Sequence, residues 1–306
     1  MTIRYKLHHV GLLCEDSEKS TQFYRDVLGH EVTARFFNTG RYDLTFVGSG
    51  SDLLLELIGP PFGGDEQTFF EQRGSGMHHL AFEVEDVDAA FADLTAKGIR
   101  VAWEPDDFLF VRHCGVYDDN GIVIEILQEL EPLARPGLRG LRANPDAPDT
   151  VDYHLHHFDI FSDNWQRTKQ FYADYFGFQS LFEYIYKKGG AFIYLADPFF
   201  NADTRQAMIE VIGPPYEEPR EFLFSEQFGT GMDHIGYVVK DVGAAYNLAR
   251  TRGSSNLREP YQDYGTEMCW VQDADNNDLE LMKPVSKAEL QKAFDTGVPY
   301  YPPVVV

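Results

Sequence analysis

The chain has 306 residues, 43% hydrophobic and 25% charged, a balance usual for a globular protein and long enough for two domains. Its formal net charge of −23 repels nucleic acid and anionic membranes, so neither is an expected partner, and no run of apolar residues is long enough to span a bilayer. The opening MTIRYK runs into a strand-like segment with no signal-peptide core, and Cys14, Cys114 and Cys269 form no CxxC pair, so the expected setting is reduced and cytoplasmic.

The first predicted elements lie in LHHVGLLCEDSEKSTQFYRDVLG (7–29), which reads as strand, capped turn, amphipathic helix and glycine stop. Asp16 or Ser17 caps the helix, Phe23, Val27 and Leu28 form its apolar stripe, and Gly29 takes the left-handed position that ends it. Alternating segments follow, DLTFVGSG (43–50) and DLLLELIG (52–59). The pattern then restarts at HHLAFEVEDVDAAFADLTAKG (78–98), where Asp86 caps, Val87, Ala90, Phe91 and Leu94 face inward, and Gly98 stops the helix. A strand around IVIEIL (122–127) closes this unit. The stretch 131–150, EPLARPGLRGLRANPDAPDT, is rich in Pro, Gly and Arg and reads as a linker.

Beyond the linker the same blocks return in the same order, at an offset of roughly 150 residues. LHHFDIFSDNWQRTKQFYADYFG (155–177) repeats the first block, AMIEVIGPP (207–215) repeats LLLELIGPP (53–61), and GTGMDHIGYVVKDVGAAY (229–246) repeats GSGMHHLAFEVEDVDAAF (74–91). DADNNDLELM (273–282) corresponds to DDNGIVIEIL (118–127). SKAELQKAFDTG (286–297) reads as a short capped helix and the last nine residues as an extended tail. The expected architecture is α+β, with four βαβββ units in antiparallel-rich sheets. They group into two tandem domains, 1–130 and 151–284, followed by a helix and tail over 285–306.

Within these blocks, His9, Glu56, His79 and Glu125 in the first half have counterparts His157, Glu210, His234 and Glu280 in the second. The second histidine precedes the last glutamate by 46 residues in both halves, and each glutamate lies within an apolar strand. A buried carboxylate needs a partner, and imidazole with carboxylate suits divalent first-row metals. All eight are therefore candidate metal ligands, one quartet per half. His8, His78 and His156 precede three of them, and strand alternation assigns these to the opposite face as structural residues.

The blocks HHVGLLCEDSEKSTQFYRDVLG and GMHHLAFEVEDVDAAFADLTAKG resemble those of the vicinal oxygen chelate superfamily, which includes glyoxalase I, methylmalonyl-CoA epimerase, extradiol dioxygenases and bleomycin-resistance proteins. The resemblance covers roughly residues 5–130 and 153–284. It implies paired βαβββ modules curled into a cup around one metal, acting on a small substrate with vicinal oxygens. The His-Glu-His-Glu set is similar to the glyoxalase and epimerase branches, implying Ni, Co, Zn or Mn, an enediolate-like intermediate, and Glu125 and Glu280 as catalytic bases in an isomerase or lyase.

The first alternative implied is an Fe(II) extradiol ring-cleavage dioxygenase, with His157, His234 and Glu280 as its triad. That family also carries a histidine before the third block, absent from DTRQA (203–207), and a His and Tyr before the final Glu. EPYQDYGTEMCWVQD (259–273) offers Tyr261, Tyr264 and Trp270 but no His. The second alternative is a non-catalytic small-molecule binding protein of the bleomycin-resistance kind, which the 14% aromatic content suits and the retained ligands oppose. A coenzyme A thioester would call on basic groups such as Arg35, Arg41, Arg73 and Arg112. Modules in the superfamily pair within a chain or between subunits, which leaves a homo-oligomer open.

Overall fold

The computed structural model describes residues 5–38, 42–48, 53–59, 71–72, 76–130, 154–196, 207–214, 227–228, 231–252, 254–255, 258–263 and 266–283. The expected linker over 131–150, the C-terminal helix and tail, Arg41, Arg73 and Tyr264 lie outside these residues. Four βαβββ modules follow one another. The first holds β1 (Tyr5–Leu13), α1 (Ser17–Gln22, continuing as a π-helical stretch Phe23–Val27), β2 (Glu31–Asn38), β3 (Tyr42–Gly48) and β4 (Leu54–Gly59). After a two-residue β5 (Glu71–Gln72) come β6 (Gly76–Glu83), α2 (Val87–Ala96), β7 (Val101–Phe108), β8 (Val111–Tyr117) and β9 (Val123–Glu129). The third module is β10 (His154–Phe161), α3 (Trp165–Phe176), β11 (Gln179–Ile185), β12 (Ala191–Ala196) and β13 (Met208–Gly213). A short β14 (Gln227–Phe228) precedes β15 (Gly231–Val239), α4 (Val242–Thr251), β16 (Arg258–Asp263), β17 (Thr266–Gln272) and β18 (Asp278–Met282).

The helix signals act where the sequence places them. Asp16 accepts from the amides of Glu18 and Lys19, Asp86 from that of Ala89, and Asp241 from that of Ala244. Gly29 and Gly98 stop their helices at φ of 71° and 77°.

In every module the first strand runs parallel to the last: β1 with β4, β6 with β9, β10 with β13, β15 with β18. Modules then join antiparallel through their first strands, β1 to β15 and β6 to β10. The result is two eight-stranded mixed sheets, β16-β17-β18-β15-β1-β4-β3-β2 and β11-β12-β13-β10-β6-β9-β8-β7. The architecture is the expected α+β one, but the partition is not. The outer modules, first and fourth, share one sheet, and the inner two share the other, so neither half of the chain closes a cup by itself.

Hydrogen bonds also tie consecutive modules together. Tyr24 donates to Asp118 and Ser20 to Asp119, tying the first helix to the turn before β9. Tyr172 donates to Asp273 and Thr168 to Asp275, tying α3 to the turn before β18. The two modules of each half are thus held through their helices, and their first strands are left to pair with the other half. One continuous apolar core takes side chains from both sheets and all four helical segments, including Val10, Leu12, Leu80, Phe82, Phe158, Ile160, Ile235 and Tyr237. On β1, Val10 and Leu12 enter this core, so His9 and Gly11 face the opposite side of the sheet.

Candidate metal centres

At the first centre His9 on β1 stands opposite Gly236 on β15, and Gly11 opposite His234. Glu56 on β4 lies beside Gly11 and Glu280 on β18 beside Gly236, which brings all four ligands to one patch. The Nε2 atoms of His9 and His234 are 2.8 Å apart. Nε2 of His9 lies 3.4 Å from Oε2 of both Glu56 and Glu280. Nε2 of His234 lies 3.2 Å from Glu56 and 4.0 Å from Glu280.

The second centre repeats this with the inner modules. Nε2 of His79 and His157 are 3.3 Å apart, and His79 is 3.4 Å from Glu125 and 3.5 Å from Glu210. His157 lies 3.4 Å from Glu125 and 3.3 Å from Glu210. Donors bonded to one ion at about 2.0–2.2 Å stand roughly 3.0–3.6 Å from one another, and both clusters are built around that spacing. All eight candidate ligands are buried.

The structure thus gathers the eight expected residues into two quartets, each drawing two residues from each half. The triad expected for a dioxygenase, His157, His234 and Glu280, does not form. His157 belongs to the inner pair of modules, and His234 and Glu280 to the outer pair.

His8, His78 and His156 are also placed differently from expectation. Each is buried and brings its Nδ1 to 2.8, 2.9 and 2.7 Å from Nδ1 of the ligand that follows it. Irregular ladder register at Leu7/His9, Leu155/His157 and Phe158/Ile160 breaks strict alternation at these points.

Burial disfavours a charge on every ligand ring, and neighbours decide the outcome. His9 is held well below the ordinary imidazole range by burial, with the His234 and His8 rings adding to it. Burial pulls His234 the same way, but Asp233 and Glu56 outweigh it and hold its pKa well above that range. His79 is raised against burial by Asp159 and Glu125, and His157 by Glu210 and Glu125. Burial alone would raise the Glu125 carboxyl, but hydrogen bonds from His113, His157 and His79 hold it well below the usual range. Paired imidazoles and carboxylates facing one another across about 3 Å are a donor set suited to a divalent cation.

Residues 6–126 and 154–281 match the Glyoxalase/Bleomycin resistance protein/Dioxygenase superfamily. The chain belongs to this superfamily. It is 33% identical over 135 residues to methylmalonyl-CoA epimerase of Mus musculus, a match covering 40% of the chain and 72% of that protein. It is 30% identical over 131 residues to a probable lactoylglutathione lyase of Synechocystis sp., covering 40% of the chain and 94% of the relative. In three dimensions glyoxalase I from Zea mays matches 96% of both chains, with a TM-score of 0.69 at 14% identity, a likeness of fold alone.

Against this superfamily frame the two centres differ in their surroundings. The residues directly across the ladder from the four ligand glutamates are Phe46, Gly115, Tyr194 and Trp270. At Gly115 the missing ring is replaced from β7, because the Trp103 indole occupies the space where a Cβ would stand. Trp270 meets His234 edge-on at 5.0 Å and donates to the Tyr261 hydroxyl. The second centre is flanked by a larger aromatic wall of Phe108, Phe110, Phe182, Phe192 and Tyr194.

Three polar residues beside the ligands escaped the sequence reading. Nδ1 of His113 lies 2.5 Å from Oε1 of Glu125, Asp233 lies 2.9 Å from Nδ1 of His234, and Asp159 lies 3.5 Å from Nδ1 of His79. Only Asp159 had a signal in strand periodicity, two residues from His157, whereas Asp233 directly precedes His234 and His113 faces Glu125 from the neighbouring strand. Of the arginines considered for a coenzyme A phosphate, Arg112 is engaged by Asp88 and Asp107, and Arg35 by Glu18. Among the described residues, neither is an uncommitted cation.

Proposed function

We propose that the protein is a metal-dependent isomerase or lyase that moves a proton next to a carbonyl in a small substrate with vicinal oxygens. The observation that carries this reading is the pair of buried triads (His9, Glu56, His234; His79, Glu125, His157), each with a second carboxylate, Glu280 or Glu210, within 4.0 Å of both imidazoles. The relatives named as an epimerase and a probable lactoylglutathione lyase support the same class. His9, Glu56, His234 and Glu280 would hold one ion, and His79, Glu125, His157 and Glu210 the other. A bound divalent ion supplies Lewis-acid polarisation to neighbouring substrate oxygens.

The protein's part is to orient the substrate, exclude water and take the proton. Glu280, at the end of the outer sheet's ligand set, is the proposed base of the first centre. At the second, His113 grips Oε1 of Glu125 and fixes that carboxylate. The proton-accepting role expected for Glu125 therefore passes to Glu210 on the facing module. A well-placed base contributes about 10²–10⁴-fold, so Glu210→Gln combined with Glu280→Gln should remove activity while leaving the fold.

His113 favours a second reading, an Fe(II) ring-cleaving dioxygenase, since it supplies an imidazole before a final ligand glutamate. Elemental analysis of anaerobically purified protein, with deuterium exchange into methylmalonyl thioesters and into hemithioacetals of 2-oxoaldehydes, decides between them. Two equivalents of Ni, Co, Zn or Mn with exchange support the proposal. Iron with oxygen uptake on catechols selects the dioxygenase, and metal-free protein that binds aromatic ligands selects the binding protein.

A further inference from the structure

Each centre carries, among the described residues, a carboxylate on the outer nitrogen of one ligand histidine, and the two centres obtain it by different routes. At the first centre it is Asp233, the residue directly before His234, with Oδ2 2.9 Å from Nδ1. At the second centre the residue directly before His79 is His78, so this route is closed. A carboxylate arrives instead from the neighbouring strand. Asp159 lies on β10 two residues beyond His157, the place held on β1 by Gly11. Beside Glu56 the first centre has Gly11, and beside Glu210 the second has Asp159.

The room for this side chain is local. At the first centre a Cβ on Gly11 would lie 2.3 Å from the His234 ring. At the second, where the β10–β6 register shifts between Phe158 and Ile160, the same position holds the Asp159 side chain.

Asp159 is an expensive residue to place there. It is completely buried, and neither oxygen has a hydrogen-bond partner at ordinary length. Oδ2 stands 3.5 Å from Nδ1 of His79 and 3.7 Å from Nδ1 of His78, and no lysine or arginine among the described residues pairs with it. In the metal-free protein its nearest positive partner is the His79 ring, and a carboxylate buried this completely with only that partner is costly. A divalent ion held by Nε2 of His79 would leave the ring proton on Nδ1, which faces both His78 Nδ1 at 2.9 Å and the Asp159 carboxylate at 3.5 Å.

We propose that Asp159 is the outer-sphere carboxylate of the second centre, a positioning residue that holds the His79 ring for a divalent ion and does for that centre what Asp233 does for the first. This rests on the reading of the two quartets as metal sites. The swap of Gly11 and Asp233 for Asp159 and His78 meets one requirement in two ways within one chain.

The test uses the full-length protein with Co²⁺ as probe, titrated against a competing chelator, and melting curves of the same proteins with and without the ion. Asp159→Asn keeps the side chain's shape and removes its charge. It should weaken one of two equivalents of Co²⁺ about 10–100-fold, and Asp233→Asn should weaken the other. At a pH above the raised His79 range, where that ring carries no proton, metal-free Asp159→Asn should melt no lower than the metal-free parent, yet gain less from Co²⁺. A purely structural role would instead lower the metal-free melting temperature, and that result overturns the proposal. Two unchanged equivalents in Asp159→Asn also overturn it and leave the metal reading intact. No Co²⁺ bound by the parent protein takes down both. A third equivalent that disappears with Asp159 would make it a direct ligand with His78 and His79, which contradicts the outer-sphere role.

Discussion

Gly236 lies directly under the ring of His9, and a Cβ added to it would stand 2.1 Å from Cε1 of that imidazole. The first centre therefore depends on a residue that offers no ligand atom. Gly236→Ala should push the His9 ring out of place, cost about 1–3 kcal/mol of stability through overpacking, and remove one of two metal equivalents. The second centre has Ala81 opposite His157 and should keep its ion. Chemical denaturation with metal analysis checks this, and full occupancy in the variant would contradict it.

The pairing of outer with outer and inner with inner modules gives a combinatorial test. His9→Ala and His234→Ala should each abolish the same equivalent, and the double variant should lose no more than either alone. His9→Ala with His79→Ala should lose both, although the two residues lie in the same half of the sequence. Non-additivity of this kind marks residues acting as one unit.

Protons and metal compete at these clusters. His79, His157 and His234 have pKa values raised above the ordinary range by the facing carboxylates, so in metal-free protein they hold protons that an ion must displace. The stability this contributes to the metal-free protein is fully present below the unfolded imidazole pKa and is lost as pH rises through the raised values. Metal binding runs the opposite way and should tighten with rising pH, with proton release measurable by calorimetry in buffers of different ionisation enthalpy. Release of no protons near neutrality would contradict the assignment. His9, already held neutral by burial, contributes none.

His30 gives a separate acid response. Burial lowers its pKa from 6.5 to about 4, with His154 adding to the effect, and it is enclosed by Tyr24 and Phe82 rings. The unfolded chain binds a proton at this residue before the folded one does, so stability should fall as pH drops from 6.5 towards 4, by up to about 3 kcal/mol. In His30→Phe that part of the acid loss should vanish, as read from denaturation curves at pH 7 and pH 4.5. An unchanged pH dependence would show that other groups carry it.

Much of this molecule could be read from periodicity and repetition. The caps at Asp16 and Asp86, the stops at Gly29 and Gly98, the four modules and the eight candidate ligand residues follow from local pattern. The partition of modules did not, because β1, β6, β10 and β15 carry nearly the same signature and each could pair with any other. What decides between them is a set of contacts between residues far apart in sequence, such as Tyr24 with Asp118 and Tyr172 with Asp273. For the same reason the expected dioxygenase triad mixed residues from two centres. Asp159 and His113 stayed hidden because a polar residue on a strand has meaning only once the face it shares is known.

The nested pairing also sets an order of assembly. His79 and His157 are separated by 78 residues, whereas His9 and His234 are separated by 225. Closing the longer loop costs only about 1 kcal/mol more in chain entropy, but the difference in timing is larger. On a growing chain the inner sheet has all its strands once β13 has emerged. The outer sheet includes β1 and waits for β18. One centre can thus be filled during synthesis while half of the other remains open. The inner candidate centre then precedes the pairing of the first and fourth modules.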